Sequence, residues 1–241
     1  NASYLIKNNY EYTKLLAQWA TEKGIRFVYA SSAATYGDGS AGFSDDEEKI
    51  GNLRPLNMYG YSKQLFDLWA RRTGLWKKIV GLKYFNVFGP NEYHKGEMRS
   101  FVIKAFEQIN AKGRVGLFKS HNSKYADGEY VRDFIYVKNA VDMTLFFLDN
   151  PQVGGLFNIG TGKARTWNDL VSAVFAAMGR KANIEYIEMP ESIRNQYQYF
   201  TQADITKLRK AGYKNQTTLF EDAIKDYVTN YIAQGSYISG T

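Results

Sequence analysis

The sequence contains no cysteine and only two histidines, His94 and His121. Disulfides and thiolate metal sites are thereby excluded, and a centre built on several histidines has too few ligands. No apolar run reaches the ~18 residues that a membrane-spanning helix needs. Asn1-Ala-Ser-Tyr4 has neither the basic start nor the apolar core of a secretory signal. The expected setting is therefore cytoplasmic, with no membrane partner. Blocks of like charge are also missing. The net charge is +7, but the basic residues are scattered among acids. The excess reads as a solvated surface with some phosphate-contacting residues, and no nucleic-acid partner is expected. A further absence is the glycine-rich turn between strand and helix that cradles a dinucleotide phosphate. The nearest candidate, Gly37-Asp-Gly-Ser-Ala-Gly42, runs into the acidic Phe43-Ser-Asp-Asp-Glu-Glu48 and reads as a loop.

What is present centres on Pro55-Leu-Asn-Met-Tyr59-Gly-Tyr-Ser-Lys63, a turn entering a helix. Tyr59 and Lys63 stand four residues apart, hence on one helical face. A phenol normally holds its proton to pH ~10, and a nearby ammonium favours the phenolate. Such a pair can exchange a proton with a sugar hydroxyl while a nicotinamide takes the hydride. Spacing alone is a weak signal, because Tyr10 and Lys14 repeat it. The upstream Phe27-Val-Tyr-Ala-Ser-Ser32-Ala-Ala-Thr-Tyr-Gly37 distinguishes Tyr59, being an apolar strand that ends in small hydroxyl residues. Strand ends of this kind face the ligand crevice of an open α/β sheet.

At 241 residues the chain suffices for one large domain or two small ones. Helix and strand alternate, which argues a parallel, doubly wound sheet. A helix is expected over 3–23, packing through Leu5, Tyr12, Leu15, Leu16 and Trp19 and ending at Gly24. Strands are expected at 27–31, 78–84, 115–118, 130–137, 155–159 and 184–189. Further helices are expected from Tyr59 to about Thr73, at 98–110 and 138–149, from an N-cap at Thr166 to about 178, and near 204–210 and 219–232. Residues 85–90 read as a turn leaving the sheet. The 37–54 loop reads as polar and mobile, Arg132-Asp133 as a buried charge pair, and 235–241 as a disordered or extraneous tail.

Five motifs stand in order: Ala30-Ser-Ser-Ala-Ala-Thr-Tyr-Gly37, Tyr59-x3-Lys63, Lys83-Tyr-Phe-Asn-Val-Phe-Gly-Pro90, Arg132-Asp-Phe-Ile-Tyr-Val137 and Phe157-Asn-Ile-Gly-Thr-Gly162. Together they resemble the extended short-chain dehydrogenase/reductase family, whose members modify nucleotide sugars. The resemblance extends from residue 1 to about 232, with Lys83 where the family usually has Arg. Asn8-Asn-Tyr-Glu-Tyr-Thr-Lys14, Glu92-Tyr-His-Lys95-Gly96 and Tyr197-Gln-Tyr-Phe-Thr-Gln-Ala-Asp204 are similar to the branch that inverts C6 of an ADP-linked heptose for the lipopolysaccharide inner core.

The resemblance implies an α/β fold, the remnant of a doubly wound parallel (Rossmann-like) sheet lacking its first β-α units, with a smaller α/β substrate domain. Residues 1–92 and 136–165 would belong to the cofactor domain, and 93–135 and 166–241 to the substrate domain. It implies Tyr59 and Lys95 as the two acid/base groups and Ser32 as a hydrogen-bond partner of the reacting sugar oxygen. Lys63, Asn8 and Val87 would contact the cofactor, NADP with NAD as the alternative. Asn86, Glu97, Lys104, Phe118, Lys119, Ser120, His121, Arg132 and Tyr197 would contact the ADP-sugar. A homo-oligomer is expected. The chain by itself is expected to bind cofactor poorly and to be inactive. Other nucleotide-sugar 4-epimerases or 4,6-dehydratases are the alternatives, as is a non-catalytic fragment. A dehydratase would want an acid pair after the strand-end serine, where Ala33 and Ala34 stand.

Overall fold

The computed structural model describes residues 1–194 and 197–238. Helix α1 (Ala2–Ile6) widens into a π turn over Lys7–Glu11 and continues as α2 (Tyr12–Glu22). Then follow β1 (Phe27–Ser32), α3 (Met58–Arg72), β2 (Ile79–Tyr84) and β3 (Asn86–Phe88). Next come α4 (Phe101–Lys112), β4 (Val115–Phe118), β5 (Val131–Arg132), β6 (Phe134–Tyr136), α5 (Val137–Asp149) and β7 (Gly155–Ile159). The chain continues through β8 (Arg165–Thr166), α6 (Trp167–Ala177), β9 (Ile184–Ile187), α7 (Glu191–Arg194), α8 (Thr206–Lys210) and α9 (Phe220–Asn230).

The near-continuous apolar runs of β2 and β7 are those of strands covered on both faces. They form a parallel sheet in the order β1-β2-β7, with Ser31 opposite Lys83 and Lys83 opposite Asn158. On one face Ala17 of α2 and Phe66 and Trp69 of α3 pack with Tyr29, Ile79 and Leu156. On the other, Met143 and Phe147 of α5 and Leu208 of α8 pack with Val80, Leu82 and Phe157. This is the doubly wound arrangement expected. A separate core joins α4, α6 and α9 to β4 through Val102, Ile109, Leu117, Leu170, Val174 and Tyr227. Thr166 caps α6 with a reciprocal capping box to Asp169. The run 85–90 is more than a turn: β3 pairs in parallel with β6 and carries the chain between the two cores.

Four local expectations need correction. The first helix turns Ala17 and Ala20 inward and leaves Tyr12, Leu15, Leu16 and Trp19 exposed. Small residues allow close approach to the sheet, so size decided the inward face. The 37–54 loop is fastened down: Asp45 accepts the Asn158 N–H (2.9 Å), and Glu47 accepts the Leu156 N–H (3.0 Å) and pairs with Lys207 (2.7 Å). Arg132 and Asp133 do not pair, since the Asp133 carboxylate accepts from Thr161 N, Thr161 Oγ1, Gly162 N and Ala203 N. Finally, 235–238 is docked. Tyr93 Oη donates to Ser236 O (3.2 Å), and Ile238 N donates to Asn91 Oδ1 (2.9 Å). The rest of that expected tail, 239–241, lies outside the described residues.

Candidate active site

The Asn57 side chain accepts the Gly60 N–H (2.9 Å) and caps α3. Tyr59 therefore falls in the first helical turn and Lys63 in the next. A Cβ on Gly60 would meet Ala34 O at 2.7 Å and Pro55 Cβ at 2.8 Å, so α3 touches the backbone that leaves β1. That contact puts Tyr59 and Lys63 beside the strand end carrying Ser31 and Ser32. Lys63 Nζ donates to Ala30 O at 2.9 Å and lies 5.9 Å from the Tyr59 ring centre. Burial pushes the Lys63 ammonium below its ordinary value, and Asp67 one turn on opposes that shift. The Ser32 hydroxyl accepts the Ala34 N–H (3.1 Å), which leaves its own proton to donate.

Tyr59 is 42% exposed. It lines a cleft of about 500 Å³ with Asn86, Val87, Lys95, Lys104, Phe101 and Trp167. Residues far apart in sequence thus converge: Tyr59 from α3, Asn86 and Val87 from β3, Lys95 from the loop after Pro90, and Lys104 from α4. Glu97 sits beside them, holding Lys104 Nζ through its carbonyl (2.6 Å) and carboxylate (3.2 Å). Asn8 is exposed in the π turn, and its amide donates to Tyr4 O (2.8 Å). Its neighbour Asn9 reaches Ser62 Oγ in α3 (3.0 Å), a contact the sequence did not signal.

A buried polar network supports this site from beneath. Lys83 Nζ and Asp67 Oδ2 stand 2.9 Å apart with both side chains fully buried. Asp67 also accepts Tyr29 Oη (2.9 Å) and Ser31 Oγ (2.8 Å), while Lys83 donates to Thr35 Oγ1 (2.5 Å). Asp67 had a legible sequence signal, since it continues the Tyr59–Lys63 spacing by another four residues.

A second cluster forms around Arg132. Its guanidinium is buried, donates to Val131 O (2.9 Å) and Gln198 O, and lies 5.4 Å from the Tyr197 ring centre. Among the described residues no carboxylate lies within 4.0 Å of it. Burial pushes Arg132 down and Tyr197 up. Phe118 packs edge-on to Tyr197 (6.4 Å), and its carbonyl accepts Tyr130 Oη (2.9 Å). Lys119 pairs with Glu188 (2.7 Å), Ser120 N donates to Asp127 (2.7 Å), and His121 N donates to Tyr199 Oη (3.1 Å). An aromatic row links the two clusters: Phe101 to Trp167 (5.0 Å), Trp167 to Tyr130 (6.1 Å), Tyr130 to Tyr197 (5.3 Å).

Comparison with known proteins puts this geometry in context. Residues 1–160 match the model of the NAD dependent epimerase/dehydratase family. The chain belongs to that family. Its relatives include the ADP-L-glycero-D-manno-heptose-6-epimerase of Nitratidesulfovibrio vulgaris (strain DP4), 57% identical over 97% of this chain and 72% of the relative. The Fusobacterium nucleatum protein of the same name is 47% identical over 99% of this chain and 75% of its own length. The crystal structure of the Helicobacter pylori ADP-L-glycero-D-manno-heptose-6-epimerase superposes with a TM-score of 0.79 at 29% identity, covering 97% of this chain and 67% of that one. The Thermus thermophilus UDP-glucose 4-epimerase, solved in complex with NAD, superposes with a TM-score of 0.71 at 25% identity, covering 95% and 70%.

A family of this kind calls for a nicotinamide cofactor, and the residues around Tyr59 fit one end of it. The Lys63 ammonium carries three donors. One serves Ala30, and no further acceptor for it occurs among the described residues. The remaining N–H groups suit the vicinal hydroxyls of a ribose. The Gly37–Gly42 turn does not fit the pyrophosphate. A Cβ at Gly37 would meet Arg54 O at 1.9 Å, so that glycine answers a backbone contact within the chain, and no helix follows the turn.

Proposed function

We propose that this chain supplies the acid/base pair and the sugar-nucleotide pocket of an NADP-dependent epimerase. It would convert ADP-D-glycero-D-manno-heptose to ADP-L-glycero-D-manno-heptose for the lipopolysaccharide inner core. The observation that carries the proposal is the shared cleft of Tyr59 and Lys95, two proton-transfer groups from separate elements around one space. The relatives' names supply the substrate.

The nicotinamide, when bound, supplies the hydride acceptor and donor at C6. The chain's own residues handle protons and position. Tyr59 exchanges the C6 hydroxyl proton for one epimer, with Lys63 one turn further along the same helical face. The Ser32 O–H donates to the same oxygen. Lys95 exchanges that proton for the other epimer, because inverting an exocyclic carbon requires only rotation about C5–C6 to present the opposite face. Arg132, buried without a carboxylate partner among the described residues, offers a fork for the diphosphate. Phe118, Lys119, Ser120, His121 and Tyr197 frame the adenosine, while Asn86, Glu97 and Lys104 address the sugar. Val87 faces the nicotinamide, and Asn8 belongs to the cofactor side. Residues 1–92 and 136–165 form the cofactor domain and the remainder the substrate domain. A cytoplasmic homo-oligomer completes the reading.

The test is direct. The complete protein carrying this chain is incubated with ADP-D-glycero-D-manno-heptose in deuterated water. The expected product is the L-glycero epimer with no deuterium at C6, since the same hydride returns. A product labelled at C6, or epimerisation at C4 of a UDP-sugar with the heptose untouched, would overturn the assignment.

A further inference from the structure

Lys95 lies in a kinked 3₁₀ segment, Tyr93–Met98, which packs on the core only through Tyr93. His94, Lys95, Gly96, Glu97 and Met98 are all exposed, and Gly96 takes φ 53 inside the loop. Yet Lys95 lines the Tyr59 cleft, and acid/base exchange requires hydrogen-bond reach of the reacting oxygen. The far end of the loop is held from α4, where Lys104 grips Glu97, and Arg99, paired with Glu107, donates to Gly96 O (2.8 Å); the entrance is held differently.

Glu92, at the loop's entrance, is 4% exposed. One carboxylate oxygen accepts Ser100 N (2.7 Å); the other accepts Ser100 Oγ (2.5 Å) and Tyr227 Oη of α9 (2.8 Å). Ser100 is the N-cap residue of α4, and its side chain makes no cap bond to its own helix. Its hydroxyl is turned to Glu92 instead. The carboxylate therefore joins the two ends of the loop and anchors both to α9, next to the positive end of α4. Within the loop, the Glu92 carbonyl also accepts the Lys95 N–H (3.0 Å). Flanking contacts run to the same segment: Tyr93 Oη donates to Tyr231 O (3.1 Å), and its ring packs edge-on to Tyr237 (5.0 Å).

We infer that Glu92 is a positioning residue for Lys95: its buried carboxylate clasps the loop so that the ammonium stays over the cleft. The inference rests on the reading of Lys95 as the second base. Glu92 and Ser100 lie on the wall of the same cleft, but the Glu92 carboxylate is taken up by Ser100 and Tyr227, and in this scheme it acts through the loop.

A double-mutant cycle with Lys95→Met tests it. In the complete protein, Glu92→Ala should lower the epimerisation kcat about 10-fold or more, with the KM for the ADP-sugar changed less than about 3-fold. In the Lys95→Met background it should cost nothing further. Ser100→Ala, which removes only one contact of the clasp, should give a smaller loss, again absent in that background. It keeps the test open should Glu92→Ala fold poorly. Amide exchange over 93–99 should rise in both variants, while β1 and β2 keep their protection. Losses that multiply in the Lys95→Met background, or wild-type kcat in both single variants, would overturn the positioning role and leave Lys95 as a base. Wild-type epimerisation by Lys95→Met itself would instead overturn the base reading, and the positioning role with it.

Discussion

Lys83→Met tests the buried ion pair beneath the site. The change keeps most of the stem volume and deletes the ammonium that stands 2.9 Å from Asp67. Breaking a fully buried pair from one side costs roughly 3–5 kcal/mol, because the surviving charge is left desolvated. Here Asp67 keeps two neutral donors, Tyr29 Oη and Ser31 Oγ, so the lower end of that range, about 3 kcal/mol, is expected. For a chain of this size each kcal/mol lowers Tm by roughly 2–4 °C, giving a drop of roughly 6–12 °C. Asp67→Asn alone should also destabilise, since the amide oxygen can still accept from Lys83 but leaves the buried ammonium with neutral partners only, Thr35 Oγ1 and the Tyr36 ring face among them. Combined, the two changes should cost less than their sum by about 2 kcal/mol, because the double variant buries no unpaired charge. Urea unfolding followed by circular dichroism measures all three. A Lys83→Met cost below about 1 kcal/mol, or strictly additive losses, would refute the argument that these two buried charges depend on each other for neutralisation.

Other consequences can be read from the same geometry. Tyr59→Phe and Lys95→Met should each lower epimerisation by about 10²–10⁴-fold with Tm nearly unchanged, since both side chains are exposed; a large loss of Tm would make either residue structural. With a C6-aldehyde analogue, each variant should keep redox chemistry on one epimer and lose it on the other, which product analysis separates. Arg132→Lys keeps charge but loses the fork, so the ADP-sugar KM should rise clearly; unchanged KM with lowered Tm would make Arg132 a brace for Gln198. Asp45 is pushed up to about 6 by burial, against ~3.9 for a free aspartate. The folded state then binds the proton more tightly between those values, so stability falls as pH rises through about 4 to 6. Asp45→Asn should therefore stabilise by roughly 3 kcal/mol at pH 7.5 and by nothing near pH 3.5, which urea melts across that range would check.

The parallel sheet and the Tyr59–Lys63 pair were legible because each rests on a local pattern: apolar runs for β1, β2 and β7, and a four-residue spacing after an Asn57 cap. The inward face of the first helix was not legible, because hydrophobicity ranks Leu15 and Trp19 above Ala17 and Ala20, whereas close packing on the sheet selects the alanines. Arg132 and Asp133 looked like partners because they are adjacent. A strand sends neighbours to opposite sides, and the Asp133 carboxylate is taken by backbone N–H groups near Gly162 and Ala203, which sequence adjacency cannot reveal. The role of Glu92 was equally hidden, since its partners Ser100 and Tyr227 come from α4 and α9.

One stripe of α3 explains how chemistry and stability are coupled here. Tyr59, Lys63 and Asp67 follow at intervals of four, so they lie in a row that descends from solvent to core. Tyr59 is 42% exposed, Lys63 half-buried and Asp67 fully buried. The lowest member is bonded to Ser31 and Lys83 of adjacent strands, and the middle one to Ala30 on the same strand end. The helix is therefore fixed in rotation about its own axis by polar contacts at two depths, where apolar packing alone would tolerate some sliding. A rotation large enough to move the Tyr59 oxygen across the cleft would have to break the Asp67–Lys83 pair, the most deeply buried charge contact in the chain's described residues. On the proposed role of Tyr59, placing its phenol within hydrogen-bond reach of one sugar hydroxyl is the business of residues two turns below it, and substitutions at Asp67 are expected to degrade catalytic geometry before they unfold the protein.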